Sequence, residues 1–189
     1  GQSACEACAG GSYQPASNAT ACDACSPGSY CEVGATAALP CPAGTRMNLS
    51  LAVMTSVADC IACAVGTFCP VGSANETACA PGTINSLERQ AMCQRCAAGT
   101  YQSTSNATAC IVCPAGAYCE AGAAAAIACP AGSYRVSEGG TAQYDCEQCP
   151  EGSACVSGAT AHVGVPRGRD VRASGVAMGR RYGTRAYTF

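Results

Sequence analysis

The chain has 189 residues, 19 of them cysteine, with no Trp, two Phe and eight Tyr. So few large side chains exclude a single large core, and about one cysteine in ten is the density of a disulfide scaffold, which stabilises modules too small to bury enough apolar surface. The formal net charge of −2 hides a split: residues 1–166 set four arginines against eleven acids, about −7, and residues 167–189 set six arginines against Asp170 alone, about +5.

In chain order, one phrase recurs, Cys-x-x-Gly-x-Tyr. It starts at Cys8, Cys25, Cys41, Cys63, Cys79, Cys96, Cys113, Cys129 and Cys149, and once without its cysteine at Val165. Glycine stands three places on each time, from Gly11 to Gly168, and an aromatic two places further in six copies: Tyr13, Tyr30, Phe68, Tyr101, Tyr118 and Tyr134. The phrase predicts a tight turn at positive φ after a crosslinked cysteine, with the aromatic covering disulfide sulfur.

The cysteines at 5, 8, 22, 25, 31 and 41 recur 88 residues later, and those at 60, 63 and 69 recur 86 later. Two super-repeats follow, at 1–88 and 89–164, with a basic tail at 165–189. In the tail, Val165 and Gly179 stand where Cys79 and Cys93 stood, and Ala177-Met178 matches Ala91-Met92. A repeat that has lost its cysteines is expected not to fold like the others.

Loops of two kinds alternate. Pairing each loop's own ends gives Cys8–Cys22, Cys25–Cys31, Cys41–Cys60, Cys63–Cys69, Cys79–Cys93, Cys96–Cys110, Cys113–Cys119, Cys129–Cys146 and Cys149–Cys155. Only Cys5 is left, unpaired or joined to another subunit. A rival scheme pairs Cys22–Cys31 and Cys25–Cys41 with their repeats, and closes Cys5–Cys8 and Cys93–Cys96. Spacing does not decide connectivity. The first scheme is preferred because bridging the ends of a Cys-x-x-Cys is strained.

The expected fold is small disulfide-rich repeats, mostly loops with short antiparallel β-hairpins such as one at Ser12–Gln14, in an elongated rod without a large core. A helical period persists only weakly, in Leu49–Val57. Ala121–Ala128 has helix propensity but is held between two cysteines and contains Gly122.

The run Cys22-Asp-Ala-Cys-Ser-Pro-Gly-Ser-Tyr-Cys31, with Cys41-Pro-Ala-Gly-Thr after it, resembles the ephrin-receptor-like cysteine-rich repeat. The long loops are also similar to the first submodule of tumour-necrosis-factor-receptor repeats. The resemblance covers about residues 5–160. It implies extracellular, non-enzymatic domains, often strung in arrays, of the kind found in large algal and protist surface proteins and flagellar hairs. The tail after Val165 departs from that pattern.

Six Cys-x-x-Cys pairs raise zinc as an alternative, but the intervening single cysteines and the one histidine favour disulfides. A thioredoxin-like redox site would need one such pair at a strand–helix junction, not six in a repeat. His162 is equivalent to Ala38 in the first super-repeat and reads as a lone surface histidine. No catalytic constellation, cofactor motif or nucleic-acid motif is seen, and no stretch of eighteen apolar residues predicts a membrane span. With no charged-then-apolar leader at Gly1, the chain reads as a mature product or a piece of something longer.

Asn-x-Ser/Thr sequons stand at Asn18, Asn48, Asn75 and Asn106, three of them running into Thr-Ala-Cys. A plain Asn-Ala turn is the simpler reading of any one, but their repetition in long loops points to N-linked glycans. Persistent disulfides place the chain outside the cell.

The expected function is a structural glycoprotein of a fibre or surface coat, with a ligand-binding receptor ectodomain as the alternative. The unpartnered Cys5 and a tail carrying Arg180, Arg181, Tyr182, Tyr187 and Phe189 predict head-to-tail self-association. The simpler reading is a chain boundary and a frayed end.

Overall fold

A computed structural model describes residues 6–165 and the backbone of 177–178. They fall into two compact units. One runs to Gln94 and takes in Ser105–Ala109; the other comprises Arg95–Thr104 and the residues from Cys110 on. Cys5 and all five tail residues named above lie outside the described residues.

Each copy of the phrase makes a turn and then a two-residue strand. Ser12–Tyr13 (β1) pairs antiparallel with Asp23–Ala24 (β2), and Ser29–Tyr30 (β3) with Leu39–Pro40 (β4). The pattern repeats with Thr45–Arg46 (β5) on Ile61–Ala62 (β6) and Thr67–Phe68 (β7) on Thr77–Ala78 (β8). Thr83–Ile84 (β9) and Gln94–Arg95 (β10) are the next two strands. In the second unit Thr100–Tyr101 (β11) pairs with Ile111–Val112 (β12), Ala117–Tyr118 (β13) with Ile127–Ala128 (β14), and Ser133–Tyr134 (β15) with Glu147–Gln148 (β16). Ser153–Cys155 (β17) pairs with Val163–Gly164 (β18). The described helices are single 3₁₀ turns, Val57–Asp59 and Gln143–Asp145, and Ala121–Ala128 ends in β14 rather than a helix.

Local chemistry explains the turns. In the first copy the Ser12 N–H donates to the Ala9 carbonyl at 3.1 Å while Gly11 sits at φ 86°. This is a type II turn, whose third residue needs positive φ and so favours glycine. The hydroxyl after the glycine closes the same carbonyl: Ser12, Thr45, Thr67, Thr83, Thr100 and Ser133 each donate to it at 2.6–2.8 Å.

Nine disulfides join the ends of each loop, from Cys8–Cys22 and Cys25–Cys31 through to Cys149–Cys155. They are the core. Most of the buried apolar residues are half-cystines, and the packed clusters are small. Tyr30 and Met47 pack on Cys41, Met54 and Cys60; Tyr101 packs on Cys113, Ala117 and Cys119; Tyr134 packs on Cys149, Cys155 and Ala159. Each of these aromatics therefore covers the crosslink of a later loop rather than the one it follows.

The two described tail residues make a pairing that the cysteine-bearing repeats do not. Ala177–Met178 (β19) pairs antiparallel with β17 in the register Ala154↔Met178 and Cys155↔Ala177. The repeat register assigns those two residues to the position of Ala91-Met92. Ala91-Met92 form no strand, so this third strand has no counterpart in the cysteine-bearing repeat; backbone hydrogen bonds to an open strand edge need no cysteine.

Candidate functional site

The recurrent geometry of the molecule is a contact between loops. A second set of residues at positive φ, beyond the turn glycines, stands at Asn18, Gly34, Gly72, Arg89, Asn106, Gly122, Gly139 and Gly158. All but Asn18 donate their backbone N–H to the carbonyl of a phrase-starting cysteine upstream. The pairs are Gly34→Cys8, Gly72→Cys41, Arg89→Cys63, Asn106→Cys79, Gly122→Cys96, Gly139→Cys113 and Gly158→Cys129, at 2.7–3.0 Å.

The carbonyl of the same residue lies against the turn glycine one phrase earlier. A Cβ built on Gly28, Gly44, Gly66, Gly99 or Gly116 would stand 2.1–2.8 Å from the carbonyl oxygen of Gly72, Arg89, Asn106, Gly139 or Gly158 respectively. Glycine is thus needed twice at these positions, for positive φ and for the approach of another backbone. The residue after the aromatic completes the contact: Gln14 and Arg135 donate their N–H to the carbonyls of Ala35 and Ala159 at 3.1 and 3.0 Å.

The side chain six places after the phrase cysteine separates long loops from short ones. In short loops it is the second half-cystine. In long loops it reaches to the carbonyl just before the closing cysteine: Gln14 Nε2 to Ala21 at 2.6 Å, Asn85 Nδ2 to Met92 at 3.1 Å, and Arg135 Nη1 to Asp145 at 2.9 Å. Asn85 is fully buried and also donates to the Thr67 carbonyl at 2.8 Å. Met47 takes this place in the Cys41–Cys60 loop and packs instead of bonding. Sequence reading passed over this position because its residue type changes from loop to loop.

Carboxylates bracket the two longest loops. Asp59 accepts the N–H groups of Thr55 and Ser56 at 2.7 and 3.0 Å, and Asp145 accepts the N–H and hydroxyl of Thr141 at 2.7 and 2.8 Å. These bonds hold both carboxyls below the usual carboxylate range, chiefly through the backbone N–H of Thr55 and of Thr141. Tyr134 meets His162 edge-on with ring centres 5.3 Å apart. Its hydroxyl bonds to Glu147, which pushes the phenol above its ordinary value.

Of the sequon asparagines, Asn18, Asn75 and Asn106 are exposed and Asn48 is half-buried, its Oδ1 accepting the Ser50 N–H at 3.1 Å. Asn18 and Asn106 share the left-handed conformation, at φ 64° and 59°. Asn18, Asn48 and Asn106 lie in three separate long loops and Asn75 in the link between Cys69 and Cys79.

Among the described residues, no group of three or more His, Cys, Asp or Glu is placed to hold a metal, and no helix is long and apolar enough to cross a membrane. A shallow, open concavity runs past Gln143, Tyr144 and Gln148. Nothing in it resembles a nucleophile with its base.

These features define a disulfide-rich module of stacked short hairpins, held by crosslinks and backbone contacts. A family model described as tyrosine-protein kinase ephrin type A/B receptor-like matches residues 82–127. That match and the nine disulfides fit a cysteine-rich ephrin-receptor-like repeat protein, a non-catalytic ectodomain type, and point to an extracellular or cell-surface location. Comparison with curated proteins returned no match.

Proposed function

We propose that the chain is a structural repeat of an extracellular fibre, filament or surface coat, its super-repeats at 1–88 and 89–164 serving as spacers. One observation supports this most: the same N–H to cysteine-carbonyl bond between loops recurs seven times with its spacing held to 26–31 residues, and in five of the seven the donor's own carbonyl also meets a turn glycine. A repeat that invests its invariant residues in stacking on its neighbours suits building more than recognition. N-linked glycans at Asn18, Asn48, Asn75 and Asn106 would sheathe the repeats, adding solubility that a 12% charged fraction does not supply. Head-to-tail self-association belongs to the same reading, with the arginine-rich tail as a steering element.

A ligand-binding ectodomain is the second reading. The longest loop favours it, with Leu49, Leu51, Val53 and Val57 all exposed, as does Tyr144, 85% exposed on the second unit.

Negative-stain images of native material separate the two. Fibres support the first reading; dispersed particles that capture a soluble ligand through the Leu49–Val57 loop support the second. Release of N-glycans by an amidase should convert the four asparagines to aspartate; unchanged masses at these sites would refute the sheath. Removal of residues 167–189 should weaken assembly most at low salt, and filaments indifferent to that deletion would exclude the tail.

A further inference from the structure

One exposed face differs between the two super-repeats while the frame beneath it is shared. The frame is a single 3₁₀ turn, the half-cystine after it and the strand that follows: Val57–Asp59, Cys60 and β6 in the first, Gln143–Asp145, Cys146 and β16 in the second. The same aspartate bracket closes both turns. On that frame the first super-repeat carries Val57, Ala58, Ile61 and Ala62, and the second carries Gln143, Tyr144, Glu147 and Gln148. Those last four, with Cys146 between them, line the shallow concavity of the second unit. Exposure here is not a property of a chain end: Val57 and Ala58 are exposed too, in a loop with described phrases on both sides of it.

The exchange reaches the neighbouring pair. Arg46 and Glu76 form an ion pair at 3.4 Å in the first super-repeat, and Tyr134 and His162 take the same places in the second, ring edge to ring face. Tyr134 stands directly across from Glu147 in the β15–β16 pair, and its hydroxyl bonds to the Glu147 carboxylate. The one carboxylate lining the concavity is thus held in place from the facing strand.

What the second super-repeat gains is chemistry of one kind. Tyr144 is 85% exposed, so its ring is open to a ligand. Gln143 and Gln148 add exposed carboxamides, each with donors and an acceptor, and Glu147 adds a carboxylate that only accepts. A hydroxyl both donates and accepts, so these groups side by side match a row of hydroxyls. The C–H face of a pyranose is apolar and stacks on an aromatic ring. An anion fits poorly, because Glu147 is the charge in the concavity and Arg135 gives its guanidinium to the carbonyls of Asp145 and Glu138. At about 650 Å³ the concavity has the size of a small-ligand site. We propose that it binds a neutral oligosaccharide, one sugar ring stacked on Tyr144 and its hydroxyls bonded to Gln143, Glu147 and Gln148. The site goes beyond the fibre reading and does not depend on it, since a spacer in a coat and a free module can each hold a sugar at one repeat.

Nuclear magnetic resonance of the full chain tests the site. The probes are neutral oligosaccharides of glucose, galactose, mannose and N-acetylglucosamine, with a high-mannose N-glycan to separate a glycoprotein source from a polysaccharide one. At least one should produce saturable shifts of the Gln143 and Gln148 side-chain amides and the Tyr144 ring, with the signals of Val57–Ala62 unmoved. Tyr144→Ala should weaken binding by at least about tenfold. The frame accepts that change, because Ala58 stands at the same place in the first super-repeat. Tyr144→Phe keeps the ring face and should bind within about threefold of the parent.

No saturable shift with any of these sugars would overturn the site. So would equal shifts at Val57–Ala62, or binding indifferent to Tyr144→Ala. Tighter binding of heparin or of a hexa-arginine peptide would also overturn it, by assigning the concavity to an anion or to a basic protein segment. Negative-stain images decide the fibre reading separately, and native material without fibres would remove that reading while leaving the sugar site in place.

Discussion

The Cys41–Cys60 and Cys129–Cys146 loops are repeat counterparts with different interiors. Six places after the phrase cysteine the first carries Met47 and the second Arg135. The first loop buries Met54, 2% exposed, against its own disulfide, with Met47 and Tyr30 alongside. The second buries no apolar side chain between its cysteines; Arg135 instead donates to the carbonyls of Asp145 and Glu138 at 2.9 and 3.3 Å.

Their outward contacts differ as well. Gly99 faces the Gly139 carbonyl, whereas Gly11 faces the side chain of Val53, which would stand 2.7 Å from an added Cβ. Yet both loops deliver one carbonyl to a short-loop cysteine, Met54 to Cys31 at 3.1 Å and Gly140 to Cys119 at 2.8 Å, and both end in the aspartate bracket. The crosslink and one backbone bond set the position of a loop. What fills the loop is interchangeable between packing and hydrogen bonding.

Removing the crosslinks is the harshest way to break this equivalence. Cys41→Ser with Cys60→Ser, and Cys129→Ser with Cys146→Ser, should each cost about 3 kcal/mol, because loops of 19 and 17 residues gain similar chain entropy on opening. Denaturant titration of the two double variants measures both. A much smaller loss in the first would mean that Met54 packing, not the disulfide, holds that loop.

Met54→Ala with the disulfides intact should cost about 2–3 kcal/mol and speed exchange of the Cys31 amide, because it empties a buried site. Its polar counterpart, Arg135→Ala, should cost about 1 kcal/mol, the net worth of exchanged hydrogen bonds. Equal losses from the two would undo the distinction between the interiors.

The glycine contacts should respond differently to a second change. Gly99→Ala should lose about 2 kcal/mol, from positive-φ strain and the approach of a carbonyl that cannot retreat. Gly11→Ala should lose a similar amount, but Val53→Ala in the same chain should recover about half of it by removing the obstructing side chain. Thermal melts of the three variants decide; no recovery on adding Val53→Ala would show that φ alone sets the cost at Gly11.

The smallest effect is the pH dependence shared by both loops. Asp59 and Asp145 have depressed folded-state pKa values. Their contribution to stability is therefore complete above the ordinary carboxylate pKa and is lost as pH falls through the lower folded value. Asp59→Asn and Asp145→Asn should each lower stability near neutrality and flatten the acid limb of the profile, so that variant and parent converge at low pH. A profile unchanged in both variants would remove the bracket from the account.

The sequence by itself determined the spacing of the crosslinks, the two loop sizes, the turn at each phrase and the want of a large core. These are local: a type II turn admits glycine at one position whatever surrounds it, as at Gly11, and half-cystines announce themselves by residue type. The aspartate bracket was also written locally, Thr141 standing four places before Asp145, but it went unread because a lone acid in a loop carries no distinctive signal.

Only the tertiary structure decided which loop meets which. Arg89 and Asn106 adopt positive φ although neither is glycine, because each must offer its N–H to one loop and its carbonyl to another. Tyr30 covers the Cys41–Cys60 bridge rather than the one before it for the same reason. The choices at Arg89 and Asn106 depend on contacts between residues about 26 to 45 apart in the chain, and spacing within a single loop carries no record of them.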